Sequence, residues 1–377
     1  MIQRPLACFV VLALGVATTT AQEMRFFYPA PSPAQVQASK DVPYGGLQMD
    51  VYRTVSSAGG AMPALVFFNT ASGAQRSSPF YKGWAEVAAA QQVVAILPDL
   101  RDESVEKDFD ALMAHLAAEG ARLGIDPERI AVLAGSGNVF RALPIVMNPR
   151  RTSVKAAVMY YGSAPVSEFR RDLPLLYVRA GLDRPPVNRA IADLVALAVN
   201  QNAPVTLLNY PGGHHAFEIV DDEDATREVI DRTIAFVKQA TRPAFQASLH
   251  RGIPESTAAA QVSNGRFAEA AATYAALVKS SPADPVLRLA YGEALLGASR
   301  FAEACAELET LKGKGLGPRD LGVPAARACM QKGDGDAAIA WLKTIPQRFL
   351  PREIENDPIF SPIKARPEFL ALFMAAI

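Results

Sequence analysis

A serine flanked by two glycines has the clearest potential for chemistry in this sequence. Ser136 lies in "VLAGSGNVF" (132–140), directly after an apolar run, with Gly135 before it and Gly137 after it. A serine hydroxyl is a weak nucleophile, so it needs a base that takes its proton and a third group that orients that base. If Ser136 attacks a carbonyl group, the chain must therefore bring a histidine and an acid to this turn.

Candidates for both groups follow predicted strands. "YPGGHHAFE" (210–218) places His214 and His215 after the last strand of the first domain, and "RAGLDRPP" (179–186) places Asp183 just past an earlier strand. The carboxyl ends of strands in a doubly wound sheet face one common crevice, so we expect Ser136, Asp183 and His215 to meet there. These residue types in this order predict acyl transfer through a covalent intermediate.

Two interpretations of Ser136 stay open. Hydrolases with a strand–turn–helix nucleophile carry G-x-S-x-G, and here Ala134 and Asn138 replace the outer glycines. Ser136 is therefore either a nucleophile or a small residue in a tight turn, and the accompanying acid and histidine favour the nucleophile. We expect His214 to be a solvent-facing loop residue. The remaining histidines are expected to have no chemical role: His115 and His250.

The elements that must position these residues alternate between strands and helices. Short apolar runs predict strands at 47–53, 64–68, 93–97, 130–134, 156–161, 175–180 and 205–210. Helices are predicted between them at 80–90, 104–123, 137–148, 186–200 and 223–240. This alternation predicts an α/β fold, a mostly parallel doubly wound sheet with helices on both faces.

After about residue 252 the pattern becomes helical and repetitive. "RFAEA" occurs at 266–270 and again 34 residues later at 300–304, and "DGDAA" keeps the alanines and the acid at 334–338. A 34-residue period of helix pairs resembles the tetratricopeptide repeat, an all-α architecture. A plain helical bundle with a chance repeat is the alternative.

These patterns divide the chain into six segments. We predict a signal peptide over 1–21, an extended lead-in over 22–45, an α/β domain over 46–242 and a linker over 243–254. Tetratricopeptide-like repeats then occupy 255–345, and a capping segment over 346–377 closes the last repeat.

Several stretches of the α/β region together resemble α/β-hydrolases of the dienelactone hydrolase and esterase branch. They are "GIDPERIAVLAGSG" (124–137), "DVYRT" (50–54), "ILPDLR" (96–101), "AGLD" (180–183) and "GGHHAF" (212–217). The resemblance rests on the order and spacing of these motifs together, and it spans about 45 to 240.

The resemblance implies a role for each candidate residue. Ser136 corresponds to the nucleophile, Asp183 to the acid and His215 to the base. Backbone N–H groups of Gly137 and of a residue near Thr70, in the oxyanion loop "NTASG" (69–73), would stabilise the oxyanion. The implied activity is hydrolysis of a carboxylic ester or lactone. Alternatives are an exopeptidase of the same fold, or an inactive hydrolase-fold scaffold that binds a protein partner through its repeats.

Composition limits the remaining possibilities. Lysine plus arginine and aspartate plus glutamate both number 38, so the net charge is zero, and without a basic block nucleic acid is not an expected partner. Neither a P-loop nor a dinucleotide fingerprint is present, so no cofactor is expected. No Cys/His spacing suggests a metal site.

The start of the chain has the form of an export signal. Arg4 precedes the apolar run "LACFVVLALGVA" (6–17), and small residues follow before Gln22. We expect a periplasmic or secreted protein with no membrane span after signal removal, and a membrane anchor is the alternative. Cys305 and Cys329 remain after processing, either as a disulfide or as two buried thiols.

Overall fold

The computed structural model describes residues 25–55, 60–70 and 75–374. The predicted signal peptide, 1–21, and most of the oxyanion loop, 71–73, lie outside the described residues. No helix in the described part of the chain combines the length and the apolar character that a bilayer span requires.

An eight-stranded sheet forms the centre of the first domain. Its strands are β1 (Val36–Tyr44), β2 (Leu47–Thr54), β3 (Met62–Phe67), β4 (Val94–Pro98), β5 (Ile125–Gly135), β6 (Val154–Tyr160), β7 (Leu175–Ala180) and β8 (Val205–Tyr210). Their spatial order is β1-β2-β4-β3-β5-β6-β7-β8. The pairs β1–β2 and β2–β4 are antiparallel, and the other pairs are parallel. The prediction of a mostly parallel sheet is confirmed.

Helices cover both faces of this sheet. They are α1 (Pro79–Ala90), α2 (Val105–Glu119), α3 (Asn138–Met147), α4 (Pro185–Asn200), α5 (Phe217–Val220) and α6 (Asp224–Ala240). Neighbouring residues of one strand point to opposite faces. Val132 of β5 therefore belongs to the apolar core on one side, and Leu133 belongs to the core on the other. Burial on both faces is why the central strands are continuous apolar runs.

Six longer helices follow the first domain. They are α7 (Pro243–Ser263), α8 (Phe267–Ser280), α9 (Pro285–Gly297), α10 (Phe301–Glu309), α11 (Pro318–Lys332) and α12 (Gly335–Lys343). Ala270, Ala304 and Ala338, the last residues of the three repeated motifs, are fully buried in one core. Small side chains there allow close approach of paired helices, and assignment to the tetratricopeptide class stays a prediction.

Two segments differ from what the sequence predicts. Residues 243–254, predicted as a linker, form the first half of helix α7. The Gln246 side-chain amide anchors that half by donating hydrogen bonds to the carbonyl groups of Ala240 and Lys155. Within the expected lead-in, 36–44 form strand β1, which pairs with β2.

The C-terminal segment packs into the same core as the repeats. It contains α13 (Glu353–Asn356) and α14 (Pro367–Leu370), and Ile354, Phe360 and Phe369 bury their side chains in that core. Cys305 and Cys329 are joined by a disulfide that links α10 to α11. Of the two states left open by the sequence, the structure therefore has the bonded one.

Candidate active site

Ser136 occupies a strained turn between β5 and α3. Its φ angle is +55°, a region that residues with a side chain rarely adopt, and its N–H donates to the carbonyl group of Tyr160 at 2.9 Å. Two residues after the end of the neighbouring strand β6, a Cβ atom at Gly162 would lie 2.3 Å from the Ser136 carbonyl oxygen. The turn is therefore held against β6, and only glycine fits at position 162.

The structure brings the three predicted side chains into one hydrogen-bonded chain. Ser136 Oγ lies 2.8 Å from His215 Nε2, and His215 Nδ1 lies 2.6 Å from Asp183 Oδ2. When the carboxylate of Asp183 accepts a proton from Nδ1, the lone pair of Nε2 faces the hydroxyl group of Ser136.

Asp183 and His215 differ in exposure. The Asp183 side chain is 2 % exposed and its second oxygen accepts the N–H of Arg184 at 2.7 Å, whereas the His215 side chain is 35 % exposed. The carboxylate of Asp183 is thus fixed within the protein, while the imidazole of His215 is partly exposed to solvent. This arrangement can remove a proton from Ser136 and stabilise the resulting imidazolium.

The two oxyanion-hole candidates have different surroundings. Gly137 directly precedes α3, so its N–H belongs to the turn that starts that helix. The N–H of Thr70 donates to the side-chain oxygen of Asn138 at 3.1 Å, and the Thr70 hydroxyl lies 3.3 Å from the same atom. An oxyanion would have to displace Asn138 from the Thr70 N–H.

A cluster of charges anchors the chain beyond the oxyanion loop. The Arg76 guanidinium contacts carboxylate oxygens of Asp41 at 3.0 Å, Asp50 at 2.6 Å and Asp99 at 2.9 Å. Asp50 also binds the ammonium group of Lys40 at 2.8 Å. Arg76 and Asp50 are both buried, and each has more than one partner of opposite charge to compensate for its removal from water. The cluster ties residue 76 to β2 and to the end of β4.

The other histidines have their own partners. The His214 side chain is 54 % exposed, as expected for a solvent-facing residue, and its Nδ1 lies 2.7 Å from Asp221. The backbone N–H of His214 donates to the same carboxylate. His115 lies beside the ring of Tyr44, and His250 Nδ1 contacts the Gln246 carbonyl oxygen within α7.

Two residues that sequence reasoning missed lie behind His215. The ring of Tyr161 lies 4.7 Å from the imidazole, centroid to centroid, and its hydroxyl donates to the carboxylate of Glu218. Burial raises the pKa of Glu218 to about 7. Hydrogen bonds from Tyr161 and Trp84 favour the ionised carboxylate and so oppose this rise. The glutamate ends the quoted "YPGGHHAFE", but only the fold reveals that it is buried.

Comparison with known proteins agrees with this architecture. Residues 78–249 match the sequence model of the dienelactone hydrolase family. No curated protein matches the sequence.

Similar solved structures include several esterases. Among them is a fungal esterase from Rhizomucor miehei, at 13 % identity and a TM-score of 0.47, covering 55 % of this chain and 84 % of that one. A bacterial brefeldin A esterase is similar at 15 % identity and a TM-score of 0.48, and the match covers 58 % of this chain and 81 % of that one. An esterase of Pyrobaculum calidifontis is similar at 18 % identity and a TM-score of 0.44, and the match covers 54 % of this chain and 84 % of that one.

The family match carries the assignment. It covers α1 to the first part of α7, including Ser136, Asp183 and His215. The family is one of hydrolases, so the chain is an enzyme of that class. Residues 78–249 are therefore similar to the dienelactone hydrolase family, within a chain that has an α/β-hydrolase fold.

Proposed function

We propose that this protein cleaves a carboxylic ester or lactone with Ser136 as nucleophile, His215 as general base and Asp183 as the orienting acid. In the first step Ser136 Oγ attacks the carbonyl carbon while His215 Nε2 takes the hydroxyl proton. The imidazolium then gives that proton to the departing alcohol oxygen, leaving an acyl group on Ser136. Water, activated by the same imidazole, releases the acid and restores the serine.

One observation carries the proposal: the continuous pair of hydrogen bonds from Ser136 through His215 to Asp183. The three residues come from different strand ends, and a folded protein has no general need to join them. The strained backbone of Ser136 supports the same interpretation, because such conformations cluster at functional sites.

Ester and amide substrates separate the possible activities. The parent protein should hydrolyse p-nitrophenyl acetate, and Ser136→Ala should abolish turnover, whereas Ser263→Ala, at an exposed serine of α7, should leave it unchanged. Turnover of aminoacyl p-nitroanilides in preference to the ester would instead indicate a peptidase. Absence of both activities in folded protein would favour a binding scaffold.

We further propose that the protein is exported to the periplasm or secreted. The apolar run 6–17 and the small residues before Gln22 are the basis, and the disulfide between Cys305 and Cys329 supports it because such bonds persist in oxidising compartments. Expression in a bacterial host should yield periplasmic protein whose mass corresponds to a start at Gln22; unprocessed cytoplasmic protein would contradict this. A protein partner of the repeats stays a prediction.

A further inference from the structure

A buried carboxyl group lies behind the proposed triad. Glu218 is in α5, three residues after His215, and its side chain is fully buried. It accepts hydrogen bonds from the Tyr161 hydroxyl, at 3.1 and 3.0 Å, and from the Trp84 indole at 3.4 Å. Burial of an acid is unfavourable, and these hydrogen bonds from Tyr161 and Trp84 offset part of that cost.

Tyr161 connects this carboxyl group to the imidazole. Its ring lies against the His215 ring at an interplanar angle of 57°. The Tyr161 backbone has φ +34°, and its N–H donates to the Val178 carbonyl oxygen at 2.8 Å. The tyrosine is therefore held at both ends, by the sheet at its backbone and by Glu218 at its hydroxyl.

The N-terminal segment, through Phe26 and Phe27, covers Glu218 and Trp84 from the outside. The N–H of Phe27 donates to the Glu218 carbonyl oxygen at 2.7 Å, and the Phe26 ring lies 5.7 Å from the Trp84 ring. A Cβ atom at Gly83 would lie 2.4 Å from the Phe26 ring, so the segment packs directly on α1. Exclusion of water strengthens electrostatic interactions between the groups inside.

We propose that Glu218 and Tyr161 form a positioning pair for His215, in which the carboxylate fixes the tyrosine ring and its negative charge stabilises the imidazolium. This inference rests on the proposed role of His215 as the general base. Neither residue touches the reacting atoms, so both act through the imidazole.

The electrostatic surroundings of Glu218 give the pair a pH dependence. In the described part of the chain, the titratable groups that act on it are Tyr160 and Tyr161 at the end of β6, Tyr81 on α1 and Asp221 after α5. Burial raises the pKa of Glu218 to about 7, and Asp221 adds to that effect. The carboxyl group of Glu218 therefore gains its negative charge near neutral pH.

A histidine titration followed by NMR tests this pair without depending on catalysis. The chain has four histidines, so ¹³C-labelled histidine gives few signals, and His215→Gln and His214→Gln variants assign the two in the loop. Glu218→Gln keeps the shape and removes the charge. It should lower the pKa of His215 by about half a unit or more. Tyr161→Phe should shift it in the same direction, and His250 on α7 serves as the internal control.

A purely structural role predicts a different result. Glu218→Gln and Tyr161→Phe would then lower the unfolding temperature but leave the His215 titration unchanged, and that outcome overturns the proposal. An equal shift at His250 would also overturn it, because the effect would not be local. In both variants the acid limb of the pH profile of kcat/KM should move with the NMR shift. Absence of esterase turnover in the parent protein would count against the proposed function and not against the pair.

Discussion

The two adjacent histidines allow a matched test of the proposed base. His215→Gln removes both hydrogen bonds of the chain, the one at 2.8 Å to Ser136 and the one at 2.6 Å to Asp183. His214→Gln removes only the contact at 2.7 Å between a half-exposed ring and Asp221. The substitutions are chemically identical and one residue apart, so their difference isolates the position of the imidazole.

The structure gives a magnitude for each variant. Without His215 no described group accepts the Ser136 proton, and loss of a triad member lowers kcat by roughly 10⁴- to 10⁶-fold. That ratio corresponds to an increase of about 5.5 to 8 kcal/mol in the activation free energy. The His214 contact is partly exposed, so its loss should lower the free energy of unfolding by about 1 kcal/mol or less and change kcat by less than about twofold.

Steady-state hydrolysis of p-nitrophenyl acetate measures both effects, with circular dichroism to establish that each variant is folded. Asp183→Asn should fall near His215→Gln, at about 10⁴-fold, because it changes the tautomer of the imidazole. Similar losses for His214→Gln and His215→Gln, or a folded His215→Gln variant that keeps a tenth of the activity, would refute the assigned base.

Three further predictions concern the rest of the chain. Replacing Cys305 and Cys329 together by alanine should lower the unfolding free energy of the repeats by about 3.5 kcal/mol, from the loop of 24 residues, and urea unfolding would show it. A hydrogen bond from the Arg101 guanidinium group holds the pKa of Asp108 below its usual value. The stability that the ionised carboxylate provides is therefore lost as pH falls below about 4. In Asp108→Asn the unfolding temperature should therefore depend less steeply on pH in this acid range than in the parent protein. Asn138→Ala frees the Thr70 N–H and should raise kcat by up to about tenfold; an unchanged kcat would remove Thr70 from the oxyanion hole.

The sequence predicts most of the sheet because its central strands are buried on both faces. Strand β5, for example, has five consecutive buried residues at 130–134, and such a run is distinct from a half-exposed strand. Strand β1 escapes prediction because it lies at the sheet edge and buries little besides Tyr44. Lys40, Asp41 and Pro43 belong to the charged and proline residues that protect edges, and they resemble a loop in sequence.

Helix α7 and the buried acid escape prediction because distant contacts determine them. Gly252 and Pro254 argue against a helix over 243–254, yet bonds from Gln246 to the first domain hold that segment helical. Glu218 is buried because α1 and the N-terminal segment cover it. By contrast, Ser136, Asp183 and His215 were predictable, since parallel strands bring their carboxyl ends to one edge.

Covalent labelling of Ser136 tests the central claim most directly. A fluorophosphonate reacts with a serine only when a base activates the hydroxyl, so mass spectrometry of digested protein identifies the activated residue. The account predicts one phosphonyl group per chain, on the peptide that contains Ser136, and loss of labelling in Ser136→Ala and His215→Gln but not in His214→Gln. Folded parent protein that stays unlabelled, or that carries the label on another serine, would contradict it.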